Sequence, residues 1–138
     1  MVDSFVLDAS VTAAWCFADE ATAASQALRR SLVDRTAVVP RLWHAESANM
    51  LLVAERRRRI SAVRCSELLE FLSAIPVRTE DEHQRIRGPV MDLARKHRLT
   101  AYDAIYLDLA LHQALPLATR DKELRRAAKS AGAELIEV

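Results

Sequence analysis

Apolar residues along the chain fall into short continuous runs separated by longer stretches of helical composition. Val2 to Leu7 ends in Phe5-Val6-Leu7 and meets Ala-rich sequence at once, which predicts a buried strand feeding a helix from Ala9 to about Ala18. Glu20 to about Leu32 has the Ala, Leu, Gln and Arg content of a second helix, and Ala37-Val38-Val39-Pro40 reads as a short strand stopped by proline. Leu42 to about Arg58 is the longest helical pattern. Ser61 then stands where its hydroxyl can accept from an unpaired amide, capping a helix through about Ser73.

Val77-Arg78-Thr79 predicts a third strand. Glu80 to Arg98 is helical in character but contains Gly88-Pro89, where the missing amide and the ring clash predict a break and two shorter helices. A helix from Tyr102 to about Gln113, a strand from Pro116 to Thr119, a helix from Lys122 to Ala131 and a closing strand at Glu134-Leu135-Ile136 complete the series. Repeated alternation of strand and helix predicts an α/β fold, with a mainly parallel sheet covered by helices on both faces and functional loops at the C-terminal edge of the strands.

The 138 residues suit one domain over 1–138, with no internal repeat or dividing linker. A hydrophobic content of 51%, 28% charged residues and scarce Gly and Pro exclude a disordered or low-complexity chain. The formal net charge of +1 gives no bulk attraction to nucleic acid, so any such contact falls to local patches of Lys and Arg. Cys16 and Cys65 lie far apart without a C-x-x-C partner, which predicts buried reduced thiols and fits a reducing cytosol. A signal peptide and any apolar run of about 18 residues are both lacking, so a cytoplasmic protein without membrane contact is expected.

Against this frame, four acids stand out: Asp8 closing the first strand, Glu46 within the long helix, Asp103 opening another helix, and Asp121 just after Leu117-Ala118-Thr119. Carboxylates converging from distant segments are the pattern that hard cations such as Mg²⁺ and Mn²⁺ select. Without a cation the same cluster costs repulsion and desolvation. Singly, Asp8 and Asp121 also suit helix caps, and Asp103 suits a first helical turn. Glu46 differs, because its turn carries Leu42, Trp43, Ala45, Asn49 and Met50 rather than other charges, as if facing a cleft. Ser10, Thr100 and Thr119 lie two or three residues from an acid, where a hydroxyl can orient a carboxylate or serve a local turn.

Other candidate chemistry is weaker. His44-Ala45-Glu46 has the H-x-E of zinc deaminases without the P-C-x-x-C, and His83, His97 and His112 lack ligand spacing. Asp108, five residues after Asp103, turns away from the acids and suits a basic partner. Ser10 stands where a dehalogenase-like phosphatase usually has its second Asp, and a receiver domain would need an adjacent acidic pair at the first strand end.

Four anchors in order carry a family resemblance. They are Val6-Leu7-Asp8-Ala9-Ser10; Pro40 leading to Glu46-Ser47-Ala48-Asn49-Met50-Leu51; Thr100-Ala101-Tyr102-Asp103-Ala104-Ile105-Tyr106; and Leu117-Ala118-Thr119-Arg120-Asp121-Lys122. The chain resembles PIN-domain ribonucleases, most of all the VapC toxins of bacterial toxin-antitoxin pairs. The resemblance implies a three-layer α/β/α sandwich with about four to five strands. It also implies that Asp8, Glu46, Asp103 and Asp121 hold Mg²⁺ or Mn²⁺ directly or through water, supported by Ser10 and Thr119. The implied activity is endonucleolytic RNA cleavage by an activated water, leaving a 5′-phosphate and a 3′-hydroxyl. The implied partners are a VapB-like antitoxin whose C-terminal segment covers the site, a second copy in a homodimer, and a toxin-antitoxin hetero-oligomer.

Arg120, Lys122, Arg125 and Arg126 lie near the expected acidic mouth and are candidates for guiding RNA. Arg56-Arg57-Arg58-Arg59 either complements the dipole of the preceding helix, contacts phosphate, or docks an acidic antitoxin segment. The alternative to an enzyme is a catalytically silent module that binds a partner, with the acids as caps; metal-dependent cleavage separates the two.

Overall fold

The computed structural model describes residues 3–138. Four parallel strands form one sheet in the order β3-β2-β1-β4: β1 Asp3–Leu7, β2 Arg35–Pro40, β3 Val77–Glu80 and β4 Leu117–Ala118. Seven α-helices flank it in a three-layer α/β/α sandwich: α1 Ala9–Cys16, α2 Ala23–Arg30, α3 Arg41–Arg56, α4 Ala62–Ala74, α5 Met91–His97, α6 Ala101–Gln113 and α7 Lys122–Ala131. Val2, where the first strand was expected to begin, lies outside the described residues.

Central strands buried on both faces need continuous apolar runs rather than alternation. Phe5-Val6-Leu7 and Ala37-Val38-Val39 meet that need, each with no exposed surface, paired as Phe5 with Ala37 and Val6 with Val38. Ala104 to Ala110 of α6 is buried throughout, and Trp15, Tyr106, Leu107, Leu124 and Ala128 pack the same core. Asp108, buried in that run, is bound by Arg85 through two bonds of 2.7 and 2.9 Å, the basic partner its position called for. Cys16 and Cys65 are buried free thiols.

Three expectations are corrected. Glu134 to Ile136 is not a strand but one parallel bridge, Leu135 to Leu117, because β4 is two residues long and offers a single amide and carbonyl on that side. Gly88-Pro89 does not break the chain into two helices. A 3₁₀ turn His83–Arg85 and a π turn Ile86–Val90 run into α5, with Pro89 fourth in the π turn. There its missing amide falls among those a helix start leaves unpaired, and the wider turn makes room for the ring. The second helix begins at Ala23 rather than Glu20, because Thr22 and Ser25 form a reciprocal cap, each hydroxyl accepting from the other's amide at 2.9 Å. No helix among the described residues is long and apolar enough to cross a membrane.

Candidate metal centre

Parallel strands place their C-terminal ends on one edge, and the chain leaves β1, β2 and β4 there. Asp8 follows β1 directly, 6% exposed, its amide bonded to the Ala118 carbonyl of β4 at 3.0 Å. It occupies the N-cap position of α1, yet its carboxylate makes no cap bond. Instead Oδ2 accepts from the Ser10 hydroxyl at 2.6 Å and from the Thr119 hydroxyl at 2.7 Å. Both hydroxyls are themselves fixed: Ser10 accepts from the Arg120 amide at 2.9 Å, and Thr119 from the Asp121 amide at 3.1 Å. Asp8 Oδ1 takes part in none of these bonds.

Glu46 projects from the middle of α3, which Pro40 starts immediately after β2. Its Oε1 accepts from the hydroxyl of Tyr106 at 2.6 Å. Asp103 lies in the first turn of α6, where Thr100 supplies the cap, accepting from the Asp103 amide at 3.1 Å and leaving the Asp103 carboxylate out of that bond. Asp121 does cap: Oδ1 accepts from the Leu124 amide of α7 at 2.8 Å.

The acids feel one another. Burial pushes the Asp103 carboxyl up to about 6, and the charges of Asp121 and Asp8 add to the rise. Glu46 is raised by burial, with Asp8 and Asp103 adding and the Tyr106 bond opposing. Asp8 is raised by burial despite its two hydroxyl donors, with Asp121 adding. Among the described residues none of the four acids forms an ion pair, in contrast to buried Asp108 with its arginine. Uncompensated carboxylates sharing one site raise one another's pKa and favour a cation.

The donor set is carboxylate and hydroxyl oxygen, the chemistry Mg²⁺ and Mn²⁺ prefer, so these residues fit such an ion. Among the described residues no three His, Cys, Asp or Glu side chains are already closed to the spacing of a metal cage.

The basic candidates near the mouth are differently employed. Arg120 pairs with Glu20 at 3.3 Å, Arg125 donates to the Thr119 carbonyl at 2.9 Å, and Arg126 donates to Glu123 and to the His97 carbonyl. Lys122 is exposed and has no ion pair among the described residues. Sequence reasoning passed over Tyr106. The available signal was a phenol inside an aliphatic run, since a buried tyrosine hydroxyl needs a partner.

Fold and site together define an α/β protein with an open carboxylate centre at the C-terminal edge of a parallel sheet. The family model described as PIN domain matches residues 5–130, and the chain belongs to the PIN-domain family. No curated protein matches it significantly. Among solved structures it is similar to PAE2754 from Pyrobaculum aerophilum, with a TM-score of 0.74 and 23% identity, covering 98% of this chain and 85% of that one. It is also similar to VapBC2 from Rickettsia felis, bound to a DNA fragment from their promoter, with a TM-score of 0.66, 15% identity and 96% of both chains covered. For FitAcB from Neisseria gonorrhoeae the TM-score is 0.67, the identity 18% and the coverage 96% of both chains. At these identities the likeness carries the fold.

Proposed function

We propose that this chain is a VapC-type toxin, an endoribonuclease dependent on Mg²⁺ or Mn²⁺. PIN domains are generally nucleases. The observation that carries the reading is the gathering of Asp8, Glu46 and Asp103, buried or half-buried and without an ion pair among the described residues, on one sheet edge where Asp8 raises the pKa of both Glu46 and Asp103 and Asp103 adds to the rise at Glu46.

In this reading Asp8, Glu46, Asp103 and Asp121 hold the cation. When bound, the ion supplies a more acidic water for in-line attack on a phosphodiester and neutralises charge on the phosphate oxygens. Ser10 and Thr119 occupy Asp8 Oδ2 and so present Oδ1 to the site. Lys122, exposed beside Asp121, attracts the RNA backbone, with Arg120 joining when it leaves Glu20. Arg125 and Arg126 are held to main-chain carbonyls and shape the mouth from behind.

The partner of such a toxin is an antitoxin. A groove of about 290 Å³ lined by Ala13, Phe17, Met50 and Val53 suits the apolar face of an amphipathic segment, with Arg57 beside it for an acidic residue, while Arg59 in the same lining is already held by Asp19 and Glu20. A homodimer and a toxin-antitoxin hetero-oligomer belong to the same proposal.

The test is incubation of the purified chain, freed of partner, with total cellular RNA and Mg²⁺ or Mn²⁺, beside a chelator control. Discrete fragments with 5′-phosphate ends that vanish with chelator are expected. Intact RNA with either metal, from a folded protein, would leave a partner-binding module.

A further inference from the structure

We infer that Tyr106 is the positioning residue that sets Glu46 for cation binding, so that helix α6 registers two of the four acids, one directly and one through a phenol. The inference rests on the nuclease reading above and deepens it.

Glu46 is the acid least constrained by its own backbone. Asp8 is clamped by two hydroxyls and Asp121 by an amide, whereas Glu46 stands mid-helix on a longer, more freely rotating side chain. Tyr106 is its opposite: no exposed surface, packed in the main core, and turning about only two side-chain torsions. A phenol has one hydrogen to donate, and here it goes to Glu46 Oε1 at 2.6 Å, the length of a charge-assisted bond. That bond fixes one oxygen and leaves Oε2 for the site.

Asp103 and Tyr106 are three residues apart on α6, hence neighbours on one helical face. Core packing alone is served as well by phenylalanine. The hydroxyl adds what phenylalanine lacks, a bond to a carboxylate 60 residues away in sequence that belongs to the acidic centre.

Metal-binding carboxylates are usually held by such outer hydrogen bonds, whose loss costs roughly 10–100-fold in metal affinity or activity. The test is a double-mutant cycle on Mn²⁺ affinity, read by calorimetric titration without RNA, on the wild type, Tyr106→Phe, Glu46→Gln and the double variant. Tyr106→Phe should weaken Mn²⁺ by about 10–100-fold and add nothing in the Glu46→Gln background. Its RNA cleavage should recover towards the wild-type rate at saturating Mn²⁺. Equal Mn²⁺ affinity in Tyr106→Phe and wild type, or losses that multiply in the double variant, would overturn the inference while leaving the nuclease standing. A wild type that neither binds Mn²⁺ nor cuts RNA would overturn both. Should Tyr106→Phe not fold, ¹³C-tyrosine NMR on the wild type serves, with Tyr102→Phe to assign the two signals. Mg²⁺ should move the Tyr106 resonance in wild type and not in Glu46→Gln; movement in both, or in neither, would refute the inference.

Discussion

Thr119 donates a 2.7 Å hydrogen bond to Asp8 across 111 residues of sequence, joining the ends of β4 and β1 at the acidic edge. The same hydroxyl accepts from the Asp121 amide, so one threonine with no exposed surface ties two of the acids together. Thr119→Val keeps the shape and removes both bonds. We expect a loss of about 10–100-fold in Mn²⁺ affinity and in cleavage rate. Denaturant unfolding should show a cost of about 1–3 kcal/mol for the polar groups left unpaired. Calorimetric titration and urea melts check the two figures separately.

Asp121 caps α7 and, in the proposed function, also holds the cation, two roles that substitution can separate. Asp121→Asn keeps an N-cap oxygen for the Leu124 amide but lowers the charge of the site, so cation affinity should fall with stability unchanged. Asp121→Ala should lose affinity and, in addition, about 0.5–2 kcal/mol of stability. Equal melting of both variants would remove Asp121 as the cap of α7.

Asp103, pushed up to about 6 from its ordinary 3.8, gives a pH dependence of defined sign. Its folded pKa lies above its unfolded one, so between those values the folded state binds more protons and stability from this group falls as pH rises. The penalty is complete above about 6, where the proposed cation would relieve it. Mg²⁺ should therefore raise the thermal midpoint more at pH 7.5 than at pH 5, and Asp103→Asn should flatten the difference. A Mg²⁺ shift independent of pH would contradict this.

Arg85 and Asp108 test stability apart from the centre. Arg85→Ala strips the guanidinium from a buried carboxylate, and the thermal midpoint should fall far more than for Arg64→Ala, whose pair with Glu67 is exposed on both sides. Cleavage per folded molecule should be unchanged.

The parts of the fold written in local pattern were legible. Apolar runs at Phe5-Val6-Leu7 and Ala37-Val38-Val39 read as buried strands because both faces are covered, and Ser61 read as a cap because it caps, accepting from the Arg64 amide at 3.0 Å. The convergence of Asp8, Asp103 and Asp121 was legible because a strand end and two helix starts mark one edge, and Glu46, within α3, stood out by its apolar turn. What sequence could not give depends on partners far along the chain. Leu135 and Ile136 look like a strand, but a two-residue β4 leaves little to pair with. Pro89 looks like a break until the π turn accommodates it. Arg125 looks like a hand for RNA, yet Thr119 and Ile136 carbonyls take it. Tyr106 is hidden among aliphatic neighbours, and only the fold brings Glu46 to its hydroxyl.

The central claim is that the four acids hold one functional cation centre, and anomalous diffraction from Mn²⁺-soaked crystals tests it most directly. A manganese peak among the carboxylates of Asp8, Glu46, Asp103 and Asp121, lost in Asp103→Asn, is the expected result. No peak at that edge, or one elsewhere in a protein that still cleaves RNA, would contradict the account.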